Sequence, residues 1–157
     1  MVIQTRDYLG YGGLIPFLAL ALYIAFYDDS PFTVLVFSSY SAIISSFIAG
    51  SLWGQALHIH TINRAALFLL SNILSLVAWF SVIFILAGHI VLGVCILLIN
   101  NIILWLVEKY FLWNELEFES LDRLNNYKKL RGHLTFIVAI AHIITIFSLI
   151  SNVQEVL

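Results

Sequence analysis

The sequence predicts an all-α polytopic membrane protein: five transmembrane helices, N-terminus inside and C-terminus outside. Three observations lead there. Hydrophobic residues make up 62% of the 157 residues and charged residues only 10%, whereas soluble domains carry about 25% charge. Five long apolar runs contain no Asp, Glu, Lys or Arg, and a run of about 20 apolar residues is what a helix needs to cross a bilayer. All seven Lys and Arg residues fall on one side when the five runs are threaded through a membrane. Mean hydropathy is +1.01, and the net charge of -2 matters less than its distribution. The whole chain, residues 1–157, reads as a single transmembrane domain.

The spans run Tyr8–Tyr27, Phe32–Leu57, Ala65–Leu86, Ile90–Val107 and Leu134–Ser151. Backbone groups in hydrocarbon must be satisfied internally, so runs this long must be helices. The links Asp28–Pro31, His58–Arg64 and Ala87–His89 are short, which makes consecutive helices antiparallel neighbours. Arg6, Arg64, Lys109, Arg123, Lys128, Lys129 and Arg131 share one side, while Asp28, Asp29 and Glu155 lie on the other. Lys and Arg mark the cytoplasmic face.

Span 1 lacks a strongly basic lead and a small-x-small cleavage site, so it is expected to be retained rather than cleaved. Gly10, Gly12, Gly13 and Pro16 cluster at its inner end. Such a cluster either unwinds the helix to free backbone groups for a ligand or forms a plain interfacial lead-in with Pro16 in the first turn.

Span 2 carries small residues at every fourth position: Ser38, Ala42, Ser46, Gly50 and Gly54. A second ridge runs through Ser41, Ser45 and Ala49. Positions i and i+4 share a helix face, and small residues there let backbones approach closely. The first ridge is therefore the expected packing face, against other spans of this chain, against a second copy in a homodimer, or against another membrane protein.

Polar residues inside the spans are costly in lipid and usually face the bundle. Asn72 lies in span 3, Asn100 and Asn101 in span 4, and His142 in span 5. These four are the candidate lining of a polar cavity, with a structural hydrogen-bond network as the plainer alternative. The connection 108–133 is acidic first and basic later, and its leucines and Tyr127 form a rough helical stripe. It is expected to lie on the inner leaflet as an amphipathic segment. Lys128, Lys129 and Arg131 from this connection, with Arg64 from the second, are the candidate lipid-headgroup residues.

Other chemistry finds no support. Cys95 is the single cysteine, so no internal disulfide can form. His58 and His60 are two apart, not at the i, i+4 spacing that puts two ligands on one helix face. No Gly-x-Ser-x-Gly elbow, phosphate loop or dinucleotide fingerprint occurs. No catalytic residue, metal or cofactor is expected, and the small membrane-apposed basic patch does not suit nucleic acid.

Three stretches together point to a family. Tyr8-Leu9-Gly10-Tyr11-Gly12-Gly13-Leu14-Ile15-Pro16-Phe17 opens span 1, Ser46-Phe47-Ile48-Ala49-Gly50-Ser51-Leu52-Trp53-Gly54 closes span 2, and Tyr127-Lys128-Lys129-Leu130-Arg131 leads into span 5. The chain resembles, over nearly its whole length, a family of small five-span inner-membrane proteins of unknown function from Gram-negative bacteria, itself similar to a mitochondrial transmembrane protein of animals. The family's Gly-Gly-x-x-Trp-Gly pattern reads Ala49-Gly50-Ser51-Leu52-Trp53-Gly54 here, which packs less tightly at one position. The resemblance implies a multi-pass protein of the bacterial inner membrane and brings no catalytic residues. The function expected is non-enzymatic: support of cell-envelope integrity through helix contacts or lipid binding, with membrane lipids as partners. A small transporter or lipid-handling protein with a polar cavity is the alternative.

Overall fold

A computed structural model of the chain describes residues 8–57, 63–113 and 121–155. Every regular element among them is helical. They are α1 (Leu14–Phe26), α2 (Pro31–Ala56), α3 (Asn63–Leu86), α4 (Ile90–Val107) and α5 (Leu121–Glu155), with a π-helical turn at Glu108–Leu112. Five stretches are long and apolar enough to cross a membrane: Tyr8–Phe26, Pro31–Ala56, Arg64–Leu86, Ile90–Phe111 and Leu124–Ser151. This is the architecture of a multi-pass membrane protein.

Local chemistry sets the helix ends. Ser30 caps α2, accepting from the Thr33 N–H, and Pro31 takes the first helical position, where its missing donor costs nothing. Asp28 accepts from Thr33 Oγ1 at 2.5 Å, Ser30 Oγ at 2.9 Å and Ser30 N at 3.1 Å. The Thr33 hydroxyl, then the Ser30 donors, hold its carboxyl below the usual range, because each stabilises the charged form. Gly88 ends α3 with φ of 91°. The Gly88 N–H reaches Ile85 O and the His89 N–H reaches Phe84 O, the paired bonds of a Schellman stop that glycine allows.

Packing follows a ring with one helix outside it. α1 contacts α2 and α5, α5 contacts α4, and α4 contacts α2, while α3 packs on α2 and α4. The sequential neighbours are antiparallel as expected, and α1 and α5, the first and last helices, lie side by side in the same direction. One core cluster gathers Phe17, Ile24, Phe37 and Ala141. A second gathers Ala49, Leu52, Leu67, Leu74 and Leu104.

The spans differ from the sequence reading around the fourth connection. Helical structure continues past Val107 through Glu108–Leu112, and α5 starts at Leu121, well before Leu134. The described part of the amphipathic stretch is therefore the continuation of α4 and the first turns of α5 rather than a separate segment. No proline interrupts residues 121–134, so the helix simply propagates. Glu115, Glu117 and Glu119 lie outside the described residues, as do His58 and His60.

The small-residue ridges also sort differently. Ser41, Ser45 and Ala49 are buried against other helices, and so are Ser38 and Ala42. Ser46 and Gly54 are half-buried and Gly50 is exposed. A Cβ added at Gly50 or Gly54 would meet nothing within 4 Å. The inner end of the first ridge is thus not used for packing within the chain. The close approach instead falls at Gly93, where a Cβ would lie 2.7 Å from Ser81 O and press on the Ile85 side chain.

Candidate functional site: a cavity above a buried ion pair

The intramembrane polar residues form a closed network at mid-bundle. Ser41 Oγ and His142 Nε2 are 2.9 Å apart, and His142 Nδ1 lies 2.8 Å from Val138 O. A carbonyl only accepts, so Nδ1 carries the proton and Nε2 accepts from Ser41. Asn101 donates to Leu97 O at 2.9 Å and to Ser41 Oγ at 3.3 Å, and accepts from Ser45 Oγ at 3.1 Å. One serine on α2 thereby ties α4 to α5. Phe17 and Phe37 close over the imidazole.

Of the four residues predicted to share a polar cavity, the structure brings Asn101 and His142 together with two serines of α2. It leaves the other two apart. Asn72 is exposed on α3 and donates to Phe68 O, one turn back. Asn100 is buried, and its amide has no partner among the described residues.

The principal cavity lies below this network, at the end of the bundle holding the α1 N-terminus and the α2 C-terminus. It has a volume of about 610 Å³, within the range of about 300–1,000 Å³ typical of small-molecule sites. Its origin is a parting of helices. The inner turn of α1 lies against α5, where Gly10 meets Leu134 and Leu130. The inner turns of α2 pack instead on α3 and α4 through Leu52 and Ala56. The space between them is walled by Leu14, Phe17, Ile44, Ile48 and Leu134. Leu9 and Phe47 also border it and are 73% and 74% exposed. The cavity therefore opens sideways between α1 and α2, toward the hydrocarbon. Higher up, Tyr40 OH bonds Gly13 O at 2.9 Å and keeps these helices joined. The glycine cluster of span 1 borders the cavity at Gly10 and Gly13, with residues 8–12 helical.

The polar part of the wall is an ion pair. Glu108 is only 1% exposed. Its Oε2 accepts from Arg131 Nε at 2.7 Å and Arg131 Nη2 at 2.7 Å, and its Oε1 accepts from the Tyr127 hydroxyl. All three residues border the cavity, together with Ser51, Gln55, Asn101 and Thr135. The sequence reading gave Arg131 a headgroup role but placed Glu108 at the acidic start of the connection 108–133. The missed signal was spacing: Leu97, Asn101, Leu104 and Glu108 recur at three and four residues, one face of one helix.

The remaining headgroup candidates sit at the same end. Lys128 lies over the Trp113 ring at 5.5 Å and Arg64 over Phe68 at 5.5 Å. Lys129 is exposed. Lys109 lies over Trp105. Every described Lys and Arg residue is thus at this end, and Lys128, Arg64 and Lys109 lie over aromatic rings, as at a membrane interface. Asp28 and Asp29 lie at the other. Among the described residues no group of three or more His, Cys, Asp or Glu could hold a metal ion.

No curated protein and no solved structure matches the chain. Residues 2–147 match the family described as protein of unknown function DUF3429. That match covers nearly the whole length, from ahead of the first span into the last, and the chain belongs to the DUF3429 family.

Proposed function

We propose that this is a non-enzymatic multi-pass protein of a bacterial inner membrane that binds a membrane lipid in the lateral cavity, and that it supports envelope integrity through that binding. The cavity carries the reading. It is apolar for most of its wall, opens toward hydrocarbon between Leu9 and Phe47, and has charged groups at the interfacial end. A lipid presents the same order: chain in the bilayer, headgroup at its edge. The grouping of basic residues supports an orientation with the N-terminus and the cavity on the cytoplasmic side. The resemblance drawn from the sequence supports the inner membrane.

Native mass spectrometry of the full chain released from micelles tests this. The wild type is expected to retain one lipid per chain. Ser51 borders the cavity and is exposed, so Ser51→Phe should fill the space without disturbing the core and should lose that lipid. Equal retention by the variant would remove the reading.

One observation favours a second reading, a homodimer. Gly50 and Gly54 have open space around them within the chain, and their spacing is that of close helix pairing in membranes. Crosslinking in lipid should capture a dimer in the wild type and lose it in Gly50→Leu. An unchanged pattern would leave these glycines without a pairing role.

A further inference from the structure

We propose that the cavity selects an uncharged lipid alcohol, an acyl-chain lipid whose head is a free hydroxyl, and that Gln55 and Thr135 are the groups that read that hydroxyl. The inference rests on the lipid reading above and specifies its substrate class.

Charge narrows the choice first. Glu108 and Arg131 are the charged residues on the cavity wall, and each is already matched. Glu108 Oε2 accepts from Arg131 Nε and Nη2, Glu108 Oε1 accepts from the Tyr127 hydroxyl, and the tyrosine also hydrogen-bonds the guanidinium. The triad is closed on itself and the two charges cancel. The connection 108–133 holds five acidic and five basic residues, so it adds no net charge either. A charged head entering this volume would lose water and gain no counter-charge, unless it broke the pair and stranded one member. An uncharged head meets neither cost.

The hydrogen-bonding groups left over are neutral and come from two walls. Gln55, on α2, gives its amide N–H groups to Ser51 Oγ at 2.9 Å and to Ser51 O at 3.3 Å. Its Oε1 has no partner among the described residues, and an amide oxygen only accepts. Thr135, on α5, is half-buried at the cavity. A threonine inside a helix can bond the carbonyl one turn back, as Thr145 does to Ala141 O at 3.0 Å. Thr135 makes no such bond among the described residues, so its hydroxyl is open to the cavity. Asn101, the other amide on the wall, is committed to Leu97, Ser41 and Ser45. Gln55 thus needs a donor from the ligand. An ester, ether or ketone oxygen has none, and a hydroxyl supplies one while accepting from Thr135. Beyond these groups the wall turns apolar toward the opening at Leu9 and Phe47, so the hydroxyl arrives on a chain rather than on a free polyol.

The test uses the full chain in phosphatidylcholine nanodiscs. These are doped in parallel with three probes that carry the same photoreactive acyl chain and differ only at one head oxygen: a diacylglycerol, its O-methyl ether and the corresponding phosphatidic acid. Labelling of cavity residues is mapped by peptide mass spectrometry. In the wild type the diacylglycerol should label these residues several-fold more than either of the others. Thr135→Val with Gln55→Met keeps the side-chain volumes close and removes both polar groups. It should bring diacylglycerol labelling down to the ether level while ether labelling persists, which also shows that the cavity is intact. Phosphatidic acid or ether labelling equal to that of the diacylglycerol in the wild type, or a preference that survives the double variant, would overturn the selection of an alcohol and leave the lipid cavity standing. Absence of label from cavity residues with every probe in the wild type would remove the cavity reading itself.

Discussion

Glu108→Ala should destabilise the protein by about 3–5 kcal/mol, the usual cost of leaving one partner of a buried ion pair uncompensated. The variant strips Arg131 of the oxygen that takes both of its Nε and Nη2 bonds and leaves the Tyr127 hydroxyl without that acceptor. Water can reach a 13% exposed arginine only in part, so the charge stays poorly solvated. Unfolding followed by circular dichroism in micelles, with increasing denaturing detergent, measures the loss. Arg131→Gln alone should cost as much, because it strands the carboxylate instead. The double amide variant should recover most of the stability, since two neutral groups of similar shape can still bond each other. If the double variant were no more stable than either single one, the pair would not act as a unit.

Gly93→Ala should cost about 1–3 kcal/mol, the typical penalty for adding volume to a well-packed site. The added carbon would lie 2.7 Å from the Ser81 carbonyl oxygen and crowd Ile85. A side-chain end could swing aside, but a helix carbonyl can move only if α3 and α4 separate. Gly93→Leu should therefore fail to accumulate as folded protein. Gly54→Ala is the control: its new methyl meets nothing within 4 Å, and glycine in a helix interior is worse than alanine by about 0.5–1 kcal/mol. That variant should be neutral or slightly stabilised in the same unfolding assay. Equal losses at positions 93 and 54 would contradict the packing described here.

These two sites mark where the sequence was readable and where it was not. The five spans follow from charge-free runs, because charges are costly in hydrocarbon, and the ends of α2 and α3 follow from Ser30-Pro31 and Gly88. How far the first ridge of α2 stays inward was not readable. Ser38 and Ala42 are buried like Ser41, Ser45 and Ala49, whereas Ser46, Gly50 and Gly54 are not, and only the position of the partner helices separates them. Gly93 stood alone in an apolar run, with no repeat to draw attention to it. The polar groups divided in the same way. His142 and Asn101 meet because each has a serine of α2 at hydrogen-bonding distance, which the sequence allowed without fixing. Asn72 stays outside because its amide is satisfied by its own helix at Phe68, so nothing pulls it inward. Glu108 was hidden by its neighbours in sequence: the acidic run that follows made it look like the start of an inner-leaflet connection, while its helix face made it buried. Tyr127 and Arg131, four residues apart on α5, are the partners that stabilise it there.

The side-by-side placement of α1 and α5 has a consequence for biosynthesis. α1 is made before α5, so it must wait in the membrane while the intervening spans are made. Contacts between distant parts of a chain are slow to form because loop closure precedes any gain. Until α5 arrives, α1 is held mainly by α2, the imidazole is missing from the Ser41 network, and Glu108 has neither Arg131 nor Tyr127. Until then the chain carries an unmatched carboxylate on an apolar helix, and α5 both neutralises that charge and supplies a wall of the cavity. Assembly and maturation of the site are a single event, the docking of α5.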